Sequence, residues 1–170
     1  MKYTLDENHK NSHEKLGWFA YGDSLSSFGL LNFMTKMIHN EILKLIEQED
    51  CDTLSERHND IVSCVEYEMR REDEHPESYL IHWIARCPNH TVGRIMFQIF
   101  RKACGHSHYH WHEIMRVLGH PMMVGAVMSE NIKLLEHAMA HVDEIELERI
   151  LDDVDIPEVR KWYDENFLVN

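Results

Sequence analysis

The chain has 170 residues, of which 44% are hydrophobic, and this is enough apolar material for one compact domain with its own core. Its 30 acidic residues outnumber its 17 basic ones and give a formal net charge of −13, which disfavours binding to nucleic-acid phosphates and to anionic membranes. The sequence has no apolar run of the roughly 18–20 residues that span a bilayer, and its polar start lacks the apolar core of a signal peptide. We therefore predict a cytoplasmic protein with reduced cysteines that binds neither nucleic acid nor membrane.

The first part of the chain differs from the rest in its periodicity. Residues 1–22 show no regular apolar spacing, and we predict a flexible polar and aromatic segment there, followed by a single all-helical domain over residues 23–170. The Thr-Leu-Ser-Glu of residues 53–56 has the spacing of a capping box and predicts the start of the second helix. The first helix, which extends to about Glu47, is predicted from apolar residues that recur every three or four positions: Leu31, Met34, Ile38, Ile42 and Leu45.

Prolines and glycines mark the further helix boundaries. Proline lacks an amide hydrogen and suits only the first turn of a helix. A helix boundary is therefore predicted at each of the prolines: Pro76, Pro88, Pro121 and Pro157. The histidine-rich helix is predicted to be capped by Ser107 and to end at Gly119. The most regular apolar stripe follows a cap at Asn89 or Thr91, and it comprises Val92, Ile95, Met96, Ile99, Phe100 and Ala103.

The secondary-structure signals all indicate helix. No segment alternates apolar and polar residues in the manner of a strand, and no Asn-Gly or Asp-Gly hairpin turn occurs. We therefore predict an all-α protein of about eight short-to-medium helices. Residues 92–96 (Val-Gly-Arg-Ile-Met) recur at 124–128 as Val-Gly-Ala-Val-Met, a shift typical of stacked helical hairpins. An irregular helical bundle explains the same short loops, so both arrangements stay open.

The 14 histidines are the compositional outlier, and several lie four residues apart, a spacing that places both rings on one face of a helix. They are densest between Cys104 and Glu113, where the sequence is Cys-Gly-His-Ser-His-Tyr-His-Trp-His-Glu. If this helix packs antiparallel against the next one, imidazoles from both can bind one ion of zinc or another divalent transition metal, with Glu113 or Glu136 as a further ligand. The candidate metal ligands are His108, His112, His137 and His141.

Other metal and catalytic motifs are missing from the sequence. The His-Glu at 112–113 is not followed by the second histidine of a His-Glu-x-x-His zinc protease, and paired Glu-x-x-His di-iron motifs do not occur. A Cys-x2-His at residue 87 and a Cys-x3-His at residue 104 resemble the spacing of a zinc finger. The helix predicted between them would hold the two pairs about 20 Å apart, so one ion cannot join them.

These observations favour a non-enzymatic interaction protein that needs no cofactor. We predict an acidic helical inhibitor or adaptor that binds another protein and masks its basic, or nucleic-acid-binding, surface. The alternative is a metal-binding helical protein or metal-dependent hydrolase that uses the His106–His112 cluster with His137 and His141. A third hypothesis is a pH-responsive assembly element, because protonation of all 14 histidines would cancel the charge of −13. None of the three hypotheses fixes the oligomeric state.

Overall fold

Every regular element in the described part of the chain is a helix. The computed structural model describes residues 27–71 and 75–168, and within those ranges there is no strand, so the all-α prediction is confirmed. None of the helices in these ranges is both long and apolar enough to cross a membrane. Short 3-10 and π-helical turns lie at Pro76–Ser78 and Asp164–Leu168. The α-helices are α1 (Ser27–Glu47), α2 (Cys51–Glu56), α3 (His58–Glu68), α4 (Leu80–Arg86), α5 (His90–Cys104), α6 (Trp111–Met128), α7 (Ile132–Met139), α8 (Glu144–Asp153) and α9 (Pro157–Tyr163).

The contacts of the chain divide it into two compact units, Met1–Met34 and Thr35–Asn170. The first unit is described only from residue 27 onward, where it consists of the opening turns of α1. The predicted flexible segment of residues 1–22, and the predicted boundary that follows it, lie outside the described residues. The second unit contains the rest of α1, the other helices and the hydrophobic core.

The core of the second unit contains α4 and α6. Gly125 of α6 lies so close to α4 that an added Cβ would stand 2.2 Å from the carbonyl oxygen of His82. The missing side chain therefore allows the two helix backbones to approach each other. Both helices bury large side chains at this contact, because each has apolar residues on most of its surface. The buried residues include Leu80, Ile81, Ile84 and Ala85 of α4 and Met115, Leu118, Met122 and Ala126 of α6.

Helix α6 continues through Gly119 and Pro121 without a break, so the helix end predicted at Gly119 and the helix start predicted at Pro121 are wrong. An interior proline removes one backbone hydrogen bond and costs a helix about 3 kcal/mol. Leu118, three residues before this proline, and Met122, directly after it, are completely buried. Packing of α6 in the core stabilises the helix by more than the proline costs, because helical stability in proteins comes mainly from tertiary contacts.

Side chains cap the N-termini of several helices in the second unit. Asn89 accepts a hydrogen bond from the Val92 amide at 3.3 Å, which confirms one of the two caps predicted for α5. At α6 the Glu113 carboxylate instead accepts a hydrogen bond from the His110 amide at 2.8 Å. The helix therefore begins at residue 111, later than the start predicted from a cap at Ser107.

Candidate functional site

Three of the four predicted metal ligands lie close together, and we call them the histidine row. His112 is in the first turn of α6, His137 is near the end of α7, and His141 follows α7. The ring centroids of His137 and His141 are 5.7 Å apart, and those of His112 and His141 are 5.9 Å apart. His108 is not part of the row: its Nδ1 lies 2.5 Å from the Glu66 Oε1 of α3, and its side chain is 89% exposed.

Aromatic side chains border the inner end of the histidine row. The ring centroid of His137 lies 5.0 Å from that of Phe97 and 6.0 Å from that of Trp111, and the Arg101 guanidinium stacks 5.4 Å from the Trp111 centroid. In this setting His137 Nε2 and His141 Nδ1 are buried without a hydrogen-bond partner. Burial, followed by the charges of Arg101 and His141, lowers the pKa of His137, so its imidazole is neutral at pH 7.

A neutral imidazole with an unpartnered nitrogen is the form that binds a transition metal. Zinc needs three or four ligands, however, and the described ranges hold no three His, Cys, Asp or Glu residues arranged for a metal ion. Of the two carboxylates considered as further ligands, Glu113 forms the cap of α6 and Glu136 is exposed. The metal site therefore stays a prediction for its four residues, His108, His112, His137 and His141.

A buried glutamate–histidine pair, which sequence reasoning missed, joins three helices of the second unit. Glu68 of α3 is completely buried, and its Oε1 accepts hydrogen bonds from His39 Nε2 of α1 at 2.8 Å and from the Leu80 amide at 2.7 Å. Leu80 is the first residue of α4, so Glu68 caps that helix. A signal for this was present in the sequence, because Glu68 follows the buried Ile61 and Val65 at helical spacing and is thereby predicted to face the core.

The thiols of the chain are protonated at neutral pH. All four cysteines are free. Burial raises the pKa of Cys87 to about 11 and that of Cys104 to about 12, and it raises the pKa of Cys64 as well. Since the thiolate is the nucleophile, these environments do not activate a cysteine for catalysis.

Large apolar side chains are exposed in the first half of α1. Leu30, Phe33 and Met34 are 49%, 60% and 52% exposed, and Met37, about one turn further on, is 51% exposed. Leu31 is also 57% exposed, but it lies to one side of the face that these four share. Their spacing of i, i+3, i+4 and i+7 places the four on one helix face, and we call them the α1 stripe. The spacing that includes Met34 correctly predicts the helix, but periodicity does not show whether another element covers the apolar face.

His82 of α4 is a buried histidine whose protonation we expect to oppose folding. It is completely buried, and neither ring nitrogen has a hydrogen-bond partner. Burial lowers the pKa of His82, the charge of Arg86 lowers it further, and together they outweigh the opposing charge of Glu77. The unfolded chain therefore takes up a proton near pH 6.5 that the folded chain does not, so stability is complete above about pH 6.5 and is lost as the pH falls below it.

We expect the free energy of unfolding to fall by up to about 1.4 kcal/mol per pH unit for each such imidazole between about pH 6.5 and pH 5. His82→Leu should flatten this dependence, and it leaves no hydrogen-bond partner unsatisfied. Urea denaturation at a series of pH values measures the slope. The exposed His112 provides the control, His112→Gln, which should keep the wild-type slope. An unchanged slope in His82→Leu would show that another group is responsible.

One protein family matches most of the chain. The chain belongs to a family of unknown function (DUF5903), and the match covers residues 41–164. No curated protein and no solved structure matches it. The match begins within α1, after the α1 stripe, and it includes Glu68 and the histidine row.

Proposed function

We propose that this family member is an acidic helical protein that binds another protein through the α1 stripe, and that its partner has a basic surface. The single observation that supports the proposal is the exposure of four large apolar side chains, at 49–60%, on one face of α1. Single exposed hydrophobic residues are common on soluble proteins. A contiguous row at i, i+3, i+4 and i+7 is the arrangement with which a helix enters a hydrophobic groove of a partner.

The residue types of the α1 stripe suit such a groove. Phe33 is an aromatic anchor, and the two methionines have flexible side chains that adapt to an irregular apolar surface. The net charge of −13 favours a groove with a basic rim, because opposite charges speed association and select the partner. While the complex lasts, that basic surface is withheld from nucleic acid, so the protein acts as an inhibitor or adaptor.

A second copy of this chain fits the α1 stripe less well than a different protein does. Four half-exposed side chains offer on the order of 400 Å² of apolar surface, whereas each partner of a stable interface buries about 800 Å². Two convex helices that pack against each other bury little apolar surface beyond these four side chains. A groove buries more, because it also contacts both sides of the inserted helix. Two chains that each carry a charge of −13 also repel each other.

Site-specific photocross-linking tests the proposal. A photoreactive phenylalanine analogue at position 33 should cross-link to a discrete basic protein in cells that naturally contain this chain. Ile145 of α8 is 56% exposed, close to the 60% of Phe33, so the same analogue at position 145 is the matched control and should not capture that protein. We expect the purified partner and the purified chain to form a complex.

Three outcomes would count against the proposal. A cross-link from position 33 to a second copy of the chain would indicate self-association instead of a separate partner. The same products from positions 33 and 145 would show that the stripe has no selectivity. A captured protein with an acidic surface would contradict the charge complementarity.

A further inference from the structure

Helix α5 presents a basic surface on a chain whose net charge is −13. It is the one described helix of eight or more residues that contains no Asp or Glu. Its exposed residues include three cations, Arg94, Arg101 and Lys102, and none of them takes part in a described ion pair. Arg94 donates a hydrogen bond to the His90 carbonyl at 3.4 Å, and Arg101 stacks 5.4 Å from the Trp111 ring centroid. No described ion pair therefore neutralises this surface.

Helix α8 presents an acidic surface. Its exposed carboxylates include Glu144, Glu148 and Asp152. Glu148 takes part in none of the described ion pairs, and Asp152 pairs with Arg160 at 2.9 Å. The basic residue of this helix, Arg149, pairs at 2.9 Å with a further carboxylate of the same helix. The outer side of α8 therefore keeps a negative charge.

One exposed isoleucine lies on each of these two surfaces. Outside α1, the large apolar side chains that are exposed in the described residues are Ile95, Ile145 and Leu168. Ile95 lies on α5 and is 43% exposed, and Ile145 lies on α8 and is 56% exposed. A single exposed isoleucine is common on soluble proteins, but here each lies among exposed charges of one sign.

The residues that follow the two isoleucines are complementary and have the same spacing. Each helix carries exposed residues at i, i+3 and i+7, which share one helix face. We call them the α5 row, which is Ile95, Gln98 and Lys102, and the α8 row, which is Ile145, Glu148 and Asp152. If the two rows lie side by side in the same direction, the isoleucines meet, an amide faces a carboxylate, and an ammonium faces a carboxylate. The pattern therefore favours contact between the two rows.

We propose that the chain associates with a second copy of itself, through the α5 row of one copy and the α8 row of the next. Both rows are exposed within one copy, so the contact joins different copies. It is heterologous, because each copy keeps one row free to which a further copy can bind. Repulsion between the two net charges is screened beyond about 8 Å at physiological salt, whereas an ammonium and a carboxylate in contact lie within about 4 Å.

The small size of the rows sets the strength of the contact. Three side chains a row bury much less than the about 800 Å² that each partner of a stable interface buries. We expect a dissociation constant on the order of 0.1–1 mM. Both rows lie within residues 41–164, which match the family, whereas the α1 stripe lies before them. The self-association goes beyond the proposed binding of a basic partner, and either can fail without the other.

Sedimentation of the purified full-length chain at about 0.15 M salt, at concentrations up to about 1 mM, tests the proposal. We expect the mean mass of the wild type to rise with concentration. Lys102→Glu should weaken the association by about tenfold, because two carboxylates then face each other, and Asp152→Lys should do the same with two ammonium groups. Lys133→Glu makes the same change of net charge at an exposed position of α7 and should associate like the wild type.

An equimolar mixture of Lys102→Glu and Asp152→Lys gives the sharpest result. In the mixture, the altered α5 row of one variant faces the altered α8 row of the other, and the two unaltered rows are complementary as well. The mixture should therefore recover the association that each variant alone has lost, which also shows that both variants are folded.

Three outcomes would overturn the proposal. The wild-type chain could stay monomeric at every concentration, Lys133→Glu could weaken the association as much as Lys102→Glu, or the mixture could fail to recover it. A monomeric chain that binds a single-stranded oligonucleotide, and binds it more weakly as Lys102→Glu, would assign the basic surface of α5 to nucleic acid instead.

Discussion

Glu68→Ala should lower the free energy of unfolding by about 3–5 kcal/mol, one of the two largest effects that we expect from a single substitution. The carboxyl group is completely buried and accepts hydrogen bonds from the Leu80 amide and from His39 Nε2, at 2.7 and 2.8 Å. Its removal leaves both donors buried without an acceptor and leaves α4 without its cap. Since a domain is typically stable by about 5–15 kcal/mol, this loss is a large fraction of the free energy of unfolding.

Two neighbouring substitutions are the controls for Glu68→Ala. Glu68→Gln retains an oxygen acceptor for the Leu80 amide and should be destabilised by clearly less. Glu66→Ala removes a carboxylate from the same helix whose partners are the exposed side chains of His108 and Arg70 and the exposed His108 amide, and it should cost about 1 kcal/mol or less. Urea denaturation followed by circular dichroism measures all three. If Glu68→Ala were no less stable than Glu66→Ala, the buried pair would not contribute to stability as described.

Gly125→Ala should destabilise the protein by about 3 kcal/mol through overpacking. The added Cβ would lie 2.2 Å from the His82 carbonyl oxygen and 3.1 Å from both the Ala85 Cβ and the Arg86 amide nitrogen. The closest of these atoms belongs to the backbone of α4, which cannot avoid the clash by a change of rotamer as a side chain can. The substitution therefore forces α4 and α6 apart along the centre of the core.

Gly105→Ala is the matched control for this prediction. Gly105 follows α5 with a φ of −63°, and a Cβ there would meet carbonyl oxygens only at 3.4 and 4.0 Å. Alanine fits this conformation, so the variant should be as stable as the wild type or more stable by up to about 1 kcal/mol. Thermal unfolding of the two variants gives the comparison. Equal midpoints for Gly125→Ala and Gly105→Ala would mean that α4 and α6 are not in close contact.

Local chemistry was sufficient to predict the fold class and some of the helix boundaries. The cap at Asn89 and the apolar stripe of α5, with Met96 and Phe100 buried, follow directly from residue type and spacing. Pro121 is the opposite case. Proline disfavours the interior of a helix, but burial of α6 in the core stabilises the helix by more than the proline costs. A single sequence does not show that burial, so the continuous helix could not be predicted from the proline.

The candidate sites were predictable only where one helix determines them. His137 and His141 are four residues apart and were expected to be neighbours, whereas His112 joins them through the packing of α6 near α7. The sequence predicts His108 on the same helix as His112, but the helix begins at residue 111, and His108 pairs with Glu66 instead. The exposure of Phe33 could not be predicted from the sequence either, because spacing alone does not reveal whether an apolar face is covered.

The most direct test of partner binding by the α1 stripe is the affinity of the purified chain for the protein that cross-links at position 33. We predict that Phe33→Asp weakens this affinity by about 100-fold, because it places a charge in an apolar groove. The matched variant Ile145→Asp should bind like the wild type, and wild-type affinity should fall as salt is added, since the chain carries a net charge of −13. Wild-type affinity in Phe33→Asp would show that the α1 stripe is not the binding surface.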